Sequence, residues 1–179
     1  MNKLLHYSAI AGIISIVLGI PLGIIDALIT LGLIKSNIQV LHIITYSLLI
    51  IFYTLFIMGF VHIGQKLKNS KLIYSSYLLI AGSLLLSIVQ IILSLSPKLQ
   101  SFIYQSITLF IIGIISIIFG YSLLSLRTTF GSIAKATAIL NILAGISLVT
   151  ILLSFIGTAL LIPIYIMEIL ILFRASKIF

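Results

Sequence analysis

The chain carries two carboxylic acids, Asp26 and Glu168, and both fall inside long apolar runs. An ionised carboxylate at the centre of a bilayer costs about 2.5–3.5 kcal/mol on insertion scales. Such a group faces the interior of a helix bundle, pairs with a partner, or is protonated. Two acids offset in depth are the raw material of a proton or cation path, and polar neighbours are available to each. Asn141 stands at the depth of Glu168, with His62 and Lys135 nearer the membrane surface. Thr45, Gln90 and Gln105 stand at the depth of Asp26, with His42 nearer the surface. Pro21 precedes Asp26 on the same run, withdraws one backbone donor and frees the carbonyl of Val17. A helix unwound at that depth would present main-chain groups to a substrate, as transporters do. The competing reading is plainer: Asp26 hydrogen-bonds near the proline kink, and Glu168 snorkels or pairs with a basic residue. Asp26, Glu168, Asn141, Gln90 and Pro21 are therefore the candidate site residues.

Other chemistry is narrow. His6 and His62 fall near the same end of the first two apolar runs, where they could serve as axial ligands of one b-type haem. Their alternative is to sit as two interfacial histidines among lipid headgroups, and the expectation is that no cofactor is bound. Cysteine is absent, which excludes disulfides, thiolate metal sites and cysteine nucleophiles. The glycines form no phosphate loop, and no serine has a base and orienting acid beside it. The chain reads as neither an enzyme nor a metal-binding protein.

The elements that hold these residues follow from composition. Hydrophobic residues make up 62% of the 179 and charged residues 7%, with a mean hydropathy of +1.43. Water-soluble domains carry about 25% charged residues, so lipid must replace water around most of this surface. Crossing a hydrocarbon core of about 30 Å takes roughly 20 apolar helical residues. Spans are expected at about 4–34, 40–63, 72–95, 101–126, 133–156 and 158–173. The first run is too long for a signal peptide, and its Ala9-Ile10-Ala11 comes too early for cleavage. It reads as one long helix, kinked or tilted at Gly19-Ile20-Pro21-Leu22-Gly23. The last uncharged tract is too long for one crossing and is divided by a turn expected near Gly157-Thr158, before Pro163. The whole chain is then one all-α, six-span membrane domain.

Charge placement tests that count. Six spans put Lys3, Lys66, Lys68, Lys71, Arg127, Lys135, Arg174 and Lys177 on one side, and only Lys35 and Lys98 on the other. By the positive-inside rule the richer side is cytoplasmic, so both termini are expected there, in the cell membrane. The net charge of +8 then needs only anionic lipid headgroups at that face. No loop is long enough to carry a basic stripe for nucleic acid.

Similar punctuation recurs along the chain. Ala11-Gly12, Ala81-Gly82 and Ala144-Gly145 mark alternate spans, while Met58-Gly59-Phe60 and Phe119-Gly120-Tyr121 each precede a basic residue. Three tandem helical hairpins is one reading; chance among Gly, Ala, Ile and Leu in membrane helices is the other. Gly19-x-x-x-Gly23 and the shared face of Gly113, Ser116 and Gly120 point to close helix packing, within the chain or between chains.

The final helix, Ile164-Tyr165-Ile166-Met167-Glu168-Ile169-Leu170-Ile171-Leu172-Phe173-Arg174-Ala175-Ser176, and the stretch from Met58-Gly59-Phe60 to Lys71 resemble small multi-span membrane proteins of archaea and some bacteria. Those families have no assigned activity, so the resemblance implies a fold and transfers no catalytic residue. Two functions from different classes are expected. The first is a non-catalytic accessory subunit of a membrane complex, with a dry interior. The second is a transporter or channel for a small solute, proton or cation, with a cavity reaching Asp26 or Glu168.

Overall fold

Apolar runs of this length fold as helices because a helix satisfies every internal backbone donor and acceptor without water. In the computed structural model the backbone is described at residues 2–30, 39–95, 102–150 and 153–179, and within these every side chain is described except at 26–30, 39–42, 90, 92–95 and 102–105. The helices are α1 (Lys3–Thr30), α2 (Gln39–Lys66), α3 (Ser70–Leu95), α4 (Phe102–Leu123), the single-turn α5 (Arg127–Phe130), α6 (Ser132–Val149) and α7 (Ser154–Ile178). A 3-10 turn, Leu124–Leu126, joins α4 to α5. Six helices, all but α5, are long and apolar enough to cross a membrane.

Each long helix packs against its neighbours in the chain, and α7 returns to α1. Helix α2 also touches α7, so α2, α3, α4, α6 and α7 enclose the interior and α1 lies along the outer seam of α2 and α7. Gly12 makes that seam close: a Cβ there would fall 2.6 Å from the Phe56 ring and 2.9 Å from Ile169. At the crossing of α4 and α6 the backbones themselves meet. A Cβ on Gly145 would lie 2.6 Å from the Gly113 carbonyl, and one on Gly113 2.7 Å from the Gly145 carbonyl.

Both termini are at one end of the bundle, where the backbone N–H of Asn2 donates to the carbonyl of Ser176 at 2.8 Å. The same end carries Lys3, Lys66, Lys68, Lys71, Arg127, Lys135, Arg174 and Lys177, all near helix ends. Tyr7, Tyr74 and Tyr121 are exposed around it, and the Lys71 ammonium lies 5.6 Å from the Tyr121 ring centre. This is the girdle a membrane interface favours. Between α2 and α3 the chain turns on Lys68, held at φ 52°. Asn69 N–H donates to the Gly64 carbonyl at 2.8 Å and Lys68 N–H to that of Gln65 at 3.2 Å, the two bonds of a Schellman stop. Asn69 Oδ1 then accepts from Leu72 N–H and starts α3.

Several expectations change. In the last tract α6 ends at Val149 and α7 begins at Ser154, so the division does not fall at Gly157-Thr158. Gly157 is instead buried inside α7, where a Cβ would meet Leu148 at 2.8 Å and the Ala144 carbonyl at 3.0 Å. It serves close packing, not a turn. Pro163 also lies inside α7 and does not end it. Gly19 and Gly23 form no tight seam within the chain: a Cβ on Gly19 meets only Leu49 at 3.8 Å, and one on Gly23 meets nothing within 4 Å. The three Ala-Gly marks are not equivalent, since Gly12 and Gly82 meet the following helix and Gly145 meets the preceding one.

Candidate functional site

Glu168 is drawn inward by the face it shares. Ile164, Glu168, Ile171, Leu172 and Ala175 recur at helical spacing on α7, and all are buried. On α6 the buried face is Ala134, Thr137, Ala138, Asn141, Ala144, Gly145 and Leu148, small enough to let both neighbours approach. Gly120 of α4 completes the fit, since a Cβ there would come within 2.9 Å of the Asn141 Cβ. The two polar side chains meet where these faces cross. Asn141 Nδ2 donates to Glu168 Oε1 at 2.9 Å and to the Thr137 carbonyl at 3.3 Å.

Glu168 is 4% exposed and Asn141 5%. Among the described residues no basic side chain pairs with Glu168, and its second oxygen has no hydrogen-bond partner. Lys135 and Arg174 are exposed at the bundle end, so Glu168 neither snorkels nor forms an ion pair. Because α7 runs on to Ile178, ten residues or about 15 Å past Glu168, the acid lies near mid-helix and not close to the end.

A cavity of about 290 Å³ adjoins this pair. Its walls come from α2, α3, α4, α6 and α7 and are mainly Ile and Leu, with Ser83, Ser87 and Ser116 adding hydroxyls and Tyr53, Tyr165 and Phe119 adding rings. The lining residues reach from Glu168 to Leu49 of α2, Ser87 of α3, Ile112 of α4 and Leu161 of α7. Each of these lies on the half of its helix directed away from the termini. The cavity thus extends from mid-bundle towards the end opposite the termini.

Between α2, α4 and α7, the half nearer the termini is packed with side chains. Phe56 stacks on Tyr165 at 5.6 Å and 17°, then meets Phe60 edge-on at 5.8 Å, and Phe60 meets Phe119 edge-on at 5.4 Å. Around these rings Leu5, Ile57, Ile63, Leu72, Leu123, Leu126 and Leu172 are fully buried. Glu168 sits where this dry plug gives way to the cavity. Tyr53 and Tyr165, ring centres 6.0 Å apart, line the cavity together with Glu168.

The other candidates are placed differently. Pro21 is exposed on the outside of α1, which continues unbroken through it, so no unwound segment forms there. Asp26 lies on α1 and Gln90 on α3, and both side chains are outside the described residues. His62 is engaged by Asn2, with Asn2 Nδ2 and His62 Nε2 3.1 Å apart, and borders a groove between α1 and α2. His6 packs edge-on against Phe173 at 5.5 Å and is not among the residues lining that groove. The groove receives one imidazole, not an axial pair. Tyr53 and Tyr165 were not legible as site residues, although their mid-span position, unlike that of Tyr7, Tyr74 and Tyr121, is the available signal.

Six apolar helices long enough to span a membrane, around a mainly apolar interior that holds one buried acid and a cavity, with an outer surface of exposed Val17, Leu48, Leu85, Ile118, Phe155 and Ile162, define a multi-pass α-helical membrane protein. No family model, curated protein or solved structure matches the chain.

Proposed function

We propose that the chain is a membrane transporter for a small solute, with Glu168 as the polar determinant of its binding site. The observation that carries this reading is the position of Glu168: a buried acid, without a counter-charge among the described residues, at the floor of a cavity that extends away from the termini. A packed region on one side of the acid and a cavity on the other are compatible with one state of alternating access. Under the positive-inside rule the charged, plugged end is cytoplasmic, with both termini there, and the hollow end faces outward in the cell membrane. The eight basic residues at the plugged end then sit beside anionic lipid.

The test is uptake by the full chain in proteoliposomes of four labelled probes: a monoamine, an amino acid, a sugar and rubidium. Uptake of at least one, lost in the Asp26→Asn/Glu168→Gln double variant, is the expected result. Uptake equal to that of empty liposomes for all four, or unchanged by the double variant, rejects the reading.

A second reading, an accessory subunit packed against other membrane proteins, is favoured by Gly19 and Gly23. Among the described residues this GxxxG face is left without close packing, as a helix from another chain would need. A stable partner retained through purification in mild detergent supports it, and a monodisperse monomer counts against it.

A further inference from the structure

Resting on the transporter reading, we infer that the cavity takes an organic monocation with an apolar body: its charge sits against Glu168 beside the rings of Tyr53 and Tyr165, and its body fills the Ile/Leu-lined chamber above.

Three features of the site select this class. The first is charge. Glu168 is buried with Asn141 on one oxygen and nothing on the other, and among the described residues no cation is within pairing distance. An anion would meet this acid with no basic group to offset it, whereas a cation supplies the missing partner. The second is the ligand set. A hard metal ion takes six or more oxygen ligands; here one carboxylate has two phenols and the Asn141 amide near it, and the hydroxyls of Ser83, Ser87 and Ser116 are spread along α3 and α4 in a mainly apolar wall. Among the described residues no group of three His, Cys, Asp or Glu side chains could hold a metal. Aromatic faces beside a carboxylate, in contrast, suit an alkylated ammonium, whose charge is spread and weakly hydrated. The third is size. The cavity of about 290 Å³ is about twice the ~150 Å³ that accommodates benzene in an engineered apolar cavity. One ring with a short ammonium substituent matches it.

The direct probe is radiolabelled benzyltrimethylammonium, a cation that cannot lose its charge, binding to the full chain in nanodiscs. N-benzylacetamide serves as a neutral competitor of similar size and benzenesulfonate as an anionic one. Saturable binding of the cation is expected, at least tenfold weaker in Glu168→Gln and displaced by neither competitor at equal concentration. Tyr53→Phe keeps the ring and most of the affinity, while Tyr53→Leu weakens binding severalfold. This second pair keeps the test decisive if Glu168→Gln folds poorly. Competition by N-benzylacetamide as strong as by the unlabelled cation, with equal affinity in Glu168→Gln, overturns the inference and leaves the transporter reading standing. Tighter binding of benzenesulfonate overturns it too. No saturable binding of any probe, together with failure of the four-probe uptake test, removes both.

Discussion

The Asn141 amide donates to the Glu168 carboxylate across 2.9 Å, joining α6 to α7 at the floor of the cavity. Twenty-seven residues separate the pair, and the turn between their helices brings them to one depth. Interhelical hydrogen bonds in membranes contribute about 0.6–2 kcal/mol. Asn141→Ala should therefore destabilise the bundle by about 1–2 kcal/mol, read as a shifted unfolding midpoint in mixed micelles. A double-mutant cycle with Glu168→Ala should return a coupling of about 0.5–1.5 kcal/mol; strict additivity would show that the bond contributes nothing.

The backbone crossing at Gly113 and Gly145 gives a sharper stability test. A side chain at either position would overlap the opposing carbonyl, at 2.6 and 2.7 Å from the first added carbon. Gly145→Val should cost about 2–3 kcal/mol through overpacking. Gly23→Ala, with open space around it, should stay within about 0.5 kcal/mol of the parent. Equal unfolding midpoints for both variants would refute the crossing.

Phe60, fully buried between Phe56 and Phe119, holds the plug beneath Glu168. Phe60→Ala should cost about 3–5 kcal/mol, measured by the same unfolding assay. A cost below about 1 kcal/mol would mean that this half is loosely filled.

The meeting of the two termini, with Asn2 bonded to Ser176, predicts their sidedness. The chain has no cysteine, so single introduced thiols report cleanly. Lys3→Cys and Lys177→Cys should both resist an impermeant maleimide applied to intact cells and react once the membrane is opened. Labelling of one but not the other in intact cells would mean an odd number of crossings.

Much of this architecture is legible in the chain because lipid imposes a simple rule: each apolar run must be a helix long enough to cross. The rule locates six helices, and basic residues such as Lys66 and Arg174 mark which ends lie together. Depth alone makes Asn141 one possible neighbour of Glu168, without saying which helices adjoin. The rule says nothing about rotation or neighbours. The break after Val149 lacks any charge or proline, so Gly157, a packing glycine, looked like the turn. Gly19-x-x-x-Gly23 has the form of a packing seam, yet the tight contacts are at Gly12, Gly113 and Gly145, because opposing residues decide which small positions are used. Tyr53 and Tyr165 are illegible as site residues for the same reason: nothing in the sequence beyond their mid-span position sets them apart until α2 and α7 are brought together.

The most direct test is thiol reactivity at the cavity floor. Glu168→Cys and Ser116→Cys, each as the sole cysteine in proteoliposomes of known orientation, should react with a small cationic methanethiosulfonate from the face opposite the termini and not from the other. Phe60→Cys, in the plug, should stay unreactive from both. Reaction of Glu168→Cys from the termini face, or of Phe60→Cys as readily as Glu168→Cys, would contradict a one-sided cavity ending at Glu168.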